Sequence, residues 1–188
     1  MMADVIYTAP TSEPLTIDEA REHLKVDIST DDYLIASLIT AARIYCEKYR
    51  KRALITQTRE LYLDSWPTVD YVELMSPLAS VNHIKYFGTD GTEHTMTATD
   101  YYVDTKSFVG KVGLAYGKSW PTGALRPFHG VVIQYICGAA SADDDIKAGL
   151  KLLIGHLYEH REASIDTALK DIPWGVESLL GIDRVPNI

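Results

Sequence analysis

Cysteine is nearly missing from this chain: Cys46 and Cys137 are the only two, far apart and in no CxxC spacing. That argues against a zinc ribbon or a redox pair and predicts two buried free thiols in a reducing compartment. Positive charge is the next shortage. The 18 Lys and Arg face 26 Asp and Glu, a net charge of −8, so the chain lacks the cationic surplus with which a nonspecific DNA binder neutralises phosphates. A wall that DNA slides past is compatible with that balance. No apolar run reaches the ~18 residues of a membrane span, and residues 1–14 show no basic end followed by an apolar stretch. The expectation is a protein neither secreted nor membrane-spanning. Internal repeats and low-complexity tracts are missing as well.

What is present describes a globular protein. The chain has 188 residues, 46% hydrophobic and 23% charged, enough to remove about 70% of its unfolded surface from water. Ile146, Leu150, Leu153, Ile154, Leu157 and Tyr158 recur at helical spacing and predict a long amphipathic helix over residues 143–163. Asp143, Asp144 and Asp145 crowd its start, where carboxylates suit unpaired N–H groups and the positive end of the dipole. A second stripe, Leu34, Ile35, Leu38, Ile39, Ala42, Tyr45, Cys46 and Tyr49, predicts a helix over residues 31–49. Ahead of it, Thr16-Ile17-Asp18-Glu19 fits a capping box for a short helix that stops near Val26. The two make a helical hairpin over residues 15–55, preceded by a loose arm up to Pro14. Lys48, Arg50, Lys51 and Arg52 form a basic cluster at its end, either a solvated helix terminus or a grip for phosphate or an acidic subunit face.

Between the stripes, over residues 56–137, the period changes to two. Leu61 and Leu63 alternate with Tyr62, and Val72 and Leu74 with Glu73. The Asp90-Gly91 step between residues 82–87 and 92–97 supplies the positive φ that a tight hairpin needs. Further strands are expected over 101–104, 111–114 and 131–136. The last is apolar on both faces, which places it centrally. Trp66 and Trp120 fall in loops and Trp174 beyond the long helix, each a binding anchor or a cover for the rim of a small core.

Two motifs imitate chemistry. Gly117-Lys118-Ser119 resembles the end of a phosphate loop, but the required earlier glycine would stand at Val112, and Trp120-Pro121 follows where a helix should open. His156, Glu159 and His160 match the H-x-x-E-H order of inverted zinc proteases, with two histidines as ligands and the glutamate as base. A third ligand is wanting: Glu162 points off the face, and Leu153 and Leu157 flank His156 on the apolar stripe. A zinc hydrolase is therefore the rival reading, with His156 and His160 as its metal residues. No G-x-S-x-G elbow or carboxylate pair suggests another enzyme, and no cofactor is expected.

Several blocks together resemble one family. Leu15 to Ala20 with Leu24 to Asp27, Asp31 to Ile35 with Ala41 to Arg43, and Arg52 to Thr58 look like the opening of tailed-bacteriophage head-tail connector (adaptor) proteins. Ser80-Val81, Ile84 to Tyr86, Asp90-Gly91, Tyr101 to Asp104, Gly117 to Pro121, Val131 to Gly138, His156 to Glu162 and Pro173 to Leu180 are similar in kind and order to that family's later segments. The resemblance implies a homo-oligomeric ring of about a dozen copies below the portal protein. It joins the DNA-filled head to the neck or head-completion protein, and DNA passes through without specific binding. The location implied is the virion, with assembly in the host bacterial cytoplasm and no membrane contact. It also implies a portal-docking tail over residues 173–188, with Pro173, Trp174, Val176, Leu179, Leu180 and Arg184 as contacts. Thr89, Asp90, Gly91 and Trp120 are candidates for contacts to the neck or to neighbouring subunits.

The expected fold is thus α+β in a single domain: a helical bundle, built of the N-terminal helical hairpin and a long C-terminal helix, with an inserted antiparallel β region.

Overall fold

The capping box forms as its residues dictate. Glu19 N–H donates to Thr16 Oγ1 at 3.1 Å and Thr16 N–H to Glu19 Oε2 at 2.8 Å, which satisfies two of the donors that a helix start leaves open. Helix α1 (Ile17–Leu24) then ends on Lys25, whose φ of 55° is left-handed. This computed structural model describes residues 2–160, 174–181 and 183–185. The chain divides into two compact units, Met1–Thr11 with Thr56–Ala139, and Ser12–Ile55 with Ala140–Ile188.

The second unit is helical. After α1 come α2 (Asp32–Arg50), α3 (Asp144–Glu159) and α4 (Trp174–Leu180). The stripes seen in the sequence meet in its core: Ile35, Ile39, Ala42 and Cys46 of α2 lie with Ile146, Leu150, Leu153 and Ile154 of α3 and with Val176 and Leu180 of α4. Gly149 lets α4 close in on α3, since a β-carbon there would lie 2.7 Å from Leu180 Cδ2. Charge is also buried on α2. Arg43 Nε donates to Glu13 Oε2 at 2.7 Å and its Nη1 to Glu47 Oε2 at 3.2 Å. Thr40 Oγ1 also donates to Glu13, and Leu54 N–H to Glu47, so each carboxylate that balances the buried guanidinium has further donors.

The first unit holds two antiparallel sheets. One has five strands in the order β1-β2-β8-β4-β5, from Met2–Thr8, Gln57–Leu63, Val131–Cys137, Leu78–Phe87 and Glu93–Thr95. The other has β3 (Tyr71–Leu74), β7 (Gly110–Leu114) and β6 (Tyr101–Asp104) in that order. The doubly apolar strand is central, as its composition requires: β8 lies between β2 and β4, with Val131, Ile133, Tyr135 and Cys137 buried. The β4–β5 turn is closed by Gly91 at φ 81° and by Asp90, whose carboxylate accepts from Thr92 N–H and Oγ1.

Two expectations need correction. The α+β class holds, with four helices and two antiparallel sheets among the described residues, but a helical bundle with a long C-terminal helix does not describe it. Helix α3 has 16 residues with His160 as its C-cap, and a shorter helix, α4, follows it. The arm before Pro14 is also not loose. Asp4-Val5-Ile6-Tyr7 carries β-branched and aromatic residues, and it pairs with β2 from Met2↔Leu63 to Thr8↔Thr58. Asp4 pins it, accepting from Arg59 Nε at 3.0 Å and from Tyr135 OH at 2.8 Å.

Candidate interaction surfaces

The hairpin tip lies where the sequence puts it: Thr89, Asp90 and Gly91 are exposed. Hydrogen bonds from Thr92 hold the Asp90 carboxyl below its usual range, so the tip presents a fixed negative charge. Trp120 is a different case. Its indole stacks on Trp66 at 4.9 Å and 11°, and its N–H donates to the Val69 carbonyl at 2.9 Å. Trp66 meets Tyr86 edge-on, and Tyr86 stacks on His94. This aromatic row is a half-buried brace whose exposed member is His94. The aromatics that stand out into solvent are others that the sequence did not single out: Tyr116 at 99% exposure and Phe128 at 75% in the sheet unit, and Tyr33 at 92% in the helical unit. Only their neighbours betray them, Tyr116 preceding Gly117 and Phe128 lying in a run with no period.

One face of the five-stranded sheet is hollowed into a cleft of about 300 Å³, lined by Tyr7, Glu60, Tyr62, His83, Lys85 and Gln134 among others. Its polar groups are tied to one another. Glu60 accepts from Tyr62 OH and from Gln134 Nε2, Asn82 donates to Gln134, and Lys85 pairs with Glu93 at 2.7 Å. The hydrogen bond to Glu60 pushes the Tyr62 phenol up to about 12, while burial and then Lys85 push His83 down. The imidazole and the phenol both line the cleft and offer hydrogen bonds. Among the described residues that line the cleft there is no serine or cysteine for the imidazole to activate.

The motifs that imitate chemistry come apart in three dimensions. Lys118 is paired with Asp100 at 2.7 Å, and no helix opens after Ser119, so phosphate has no helix terminus to meet. His160 caps α3 and sits outside it with φ −103°. Its ring lies 4.4 Å from that of His156, but its Nδ1 faces the His156 carbonyl at 2.9 Å, which makes that nitrogen a donor. Among the described residues, no group of three or more His, Cys, Asp or Glu is arranged to hold a metal. The basic cluster is divided too. Lys48 and Lys51 are exposed, Arg50 is 6% exposed, and burial beside Arg50 lowers the Arg52 guanidinium.

The tail residues separate into two sets. Pro173 and the side chain of Trp174 lie outside the described residues. Val176 and Leu180 are spent inside the helical unit, whereas Leu179 is half-buried and Arg184 exposed. The Arg184 guanidinium lies 4.5 Å over the Tyr49 ring, and Val185 N–H donates to the Arg50 carbonyl at 3.0 Å. The segment after α4 thus lies on the end of α2. The i, i+4 spacing of Val176 and Leu180 was the available sign that part of this tail belongs to the core.

Together these surfaces belong to an α+β fold with protruding loops, a sheet face rich in hydrogen bonds, and a short tail. No family model and no curated protein matches the chain. Solved structures do. The chain is similar in fold over its whole length to a component of the neck of an empty gene transfer agent particle computed with C6 symmetry. The TM-score is 0.80 at 24% identity, covering 100% of this chain and 97% of the other. A chain from the virion of the native particle gives 0.80 at 23%, covering 98% and 96%, and one from the native neck computed with C12 symmetry gives 0.77 at 23%, covering 100% and 97%. At these identities the likeness establishes the fold.

Proposed function

We propose that this protein is a structural subunit of the neck of a tailed-phage-like particle. It forms a homo-oligomeric ring beneath the portal, joins the filled head to the next neck protein, and lets DNA pass. The observation that carries this reading is the full-length correspondence of both units, at a TM-score of 0.80, with a chain of a particle neck. Two units of such different composition are unlike any generic domain, and matching both in one chain is a stricter test than matching either. The net charge of −8 suits a conduit wall that does not hold phosphates. The cleft and loops supply surface matching, and the free energy of assembly comes from buried area between copies.

Portal docking falls to the accessible part of the tail, Leu179 and Arg184, with Val176 and Leu180 holding α4 in place. The hairpin tip at Thr89 to Gly91 and the half-buried Trp120 face neighbours or the next neck protein. Electron microscopy of the protein mixed with its portal tests the reading: rings stacked on portal rings are expected, and free protein beside bare portals would overturn it. Truncation of the whole tail would remove core residues, so point changes are the better probe. Leu179→Asp with Arg184→Glu should cut co-purification with the portal at least tenfold while thermal melting stays within a few degrees of wild type. Unchanged co-purification would remove the tail from the docking interface.

A further inference from the structure

We infer that residues Met2–Thr8 are a donor strand exchanged between copies. In the assembled ring, β1 of one subunit completes the five-stranded sheet of the next. This rests on the ring reading above and goes beyond it, because it names the segment that links the copies and its seat.

The seat belongs entirely to the sheet. Strand β1 is an edge strand, paired on one side only, and six of its seven residues are exposed. What holds it is the backbone ladder to β2 and one polar anchor, Asp4. Both side chains that receive Asp4 lie elsewhere: Arg59 on β2 at 3.0 Å and Tyr135 on β8 at 2.8 Å, the latter fully buried. Arg59 Nη2 also donates to the Asp4 carbonyl at 3.2 Å. Register and charge recognition are therefore written into residues 57–63 and 131–137, and they accept the same heptapeptide whichever copy supplies it. Without an occupant, the Arg59 guanidinium loses the Asp4 carboxylate and β2 shows a bare edge.

The connection favours exchange. Strand pairing holds the chain up to Thr8, and Glu13 is pinned to Arg43 at 2.7 Å and to Thr40 at 2.9 Å, with Leu15 buried just beyond. Only residues 9–12 lie between the two anchors, with Pro10 among them. Five residue steps span at most ~17 Å. Short hinges held between two fixed ends are the ones that invite exchange. Donor and acceptor are different surfaces, so exchange runs head to tail; an open chain leaves one undocked strand and one bare edge, and closure into a ring removes both.

The register gives the test. Val5 lies opposite Glu60, so Val5→Cys with Glu60→Cys in one chain forms a disulfide across the β1–β2 ladder, while the buried Cys46 and Cys137 stay apart from it. Rings counted by electron microscopy are oxidised and run on a non-reducing gel. Strand exchange gives a ladder of covalent dimers and higher species holding most of the protein. Intact rings that yield only the compact intrachain form, or no disulfide, overturn the exchange and leave the neck reading standing. A preparation with portal present but no rings overturns both.

Discussion

At Arg43 the sequence hid the most. Its guanidinium sits between Glu13 and Glu47, 30 residues back and one helical turn on, and nothing in the spacing of Glu13 points to that meeting. Removing one partner of a buried ion network leaves the others without compensation and costs ~3–5 kcal/mol. Arg43→Met is therefore expected to lower the urea midpoint steeply, whereas Arg43→Met combined with Glu13→Gln and Glu47→Gln should recover part of the loss. Cys46 makes the opposite case, since its burial was legible from the apolar stripe. Burial pushes its thiol up to about 12 from an ordinary value of 9.0. The unfolded chain loses that proton from pH 9 upward and the folded chain keeps it, so this residue's contribution to stability declines as pH rises from 9 towards 12. Thiol labelling at pH 8 should find Cys46 unreactive in the native protein and reactive in urea; native labelling at the rate of a free thiol would refute its burial.

The elements were largely legible, for reasons of period. Alternation in Leu61, Leu63, Val72 and Leu74 located strands β2 and β3, and the Asp90-Gly91 step located the β4–β5 turn, because each depends on neighbours in the chain. Strand β1 was missed because an isolated run of seven residues resembles any exposed arm until β2 is beside it, and its anchor Asp4 reaches Tyr135, 131 positions away. Helix α4 was read as a surface tail for a related reason: seven residues show barely two turns of periodicity. Its role in the core is measurable. Leu180→Ala removes a fully buried side chain packed at Gly149 and is expected to cost ~2–5 kcal/mol, read as a lower denaturation midpoint. A change under ~0.5 kcal/mol would mean α4 is not part of the helical core.

For the whole molecule the sequence excluded more than it specified. An acidic balance ruled against a phosphate-binding wall, and the structure divides the one basic cluster, burying Arg50 while leaving Lys48 exposed. No retention on duplex DNA is accordingly expected at about 0.15 M salt, by filter binding or gel shift; salt-sensitive micromolar binding would contradict the conduit reading. The partition places residues 1–11 in the unit of residues 56–139, which one dimension does not show because β1 finds its partner only in β2. That partition has a consequence for how such a gene can be shuffled. A crossover that replaced only the middle block, residues 56–139, would deliver four strands of the large sheet from a foreign parent while keeping the native first strand. The incoming block would fold around the inherited Asp4 only if it carried an arginine and a tyrosine at the places of Arg59 and Tyr135, so viable hybrids should inherit those three residues together.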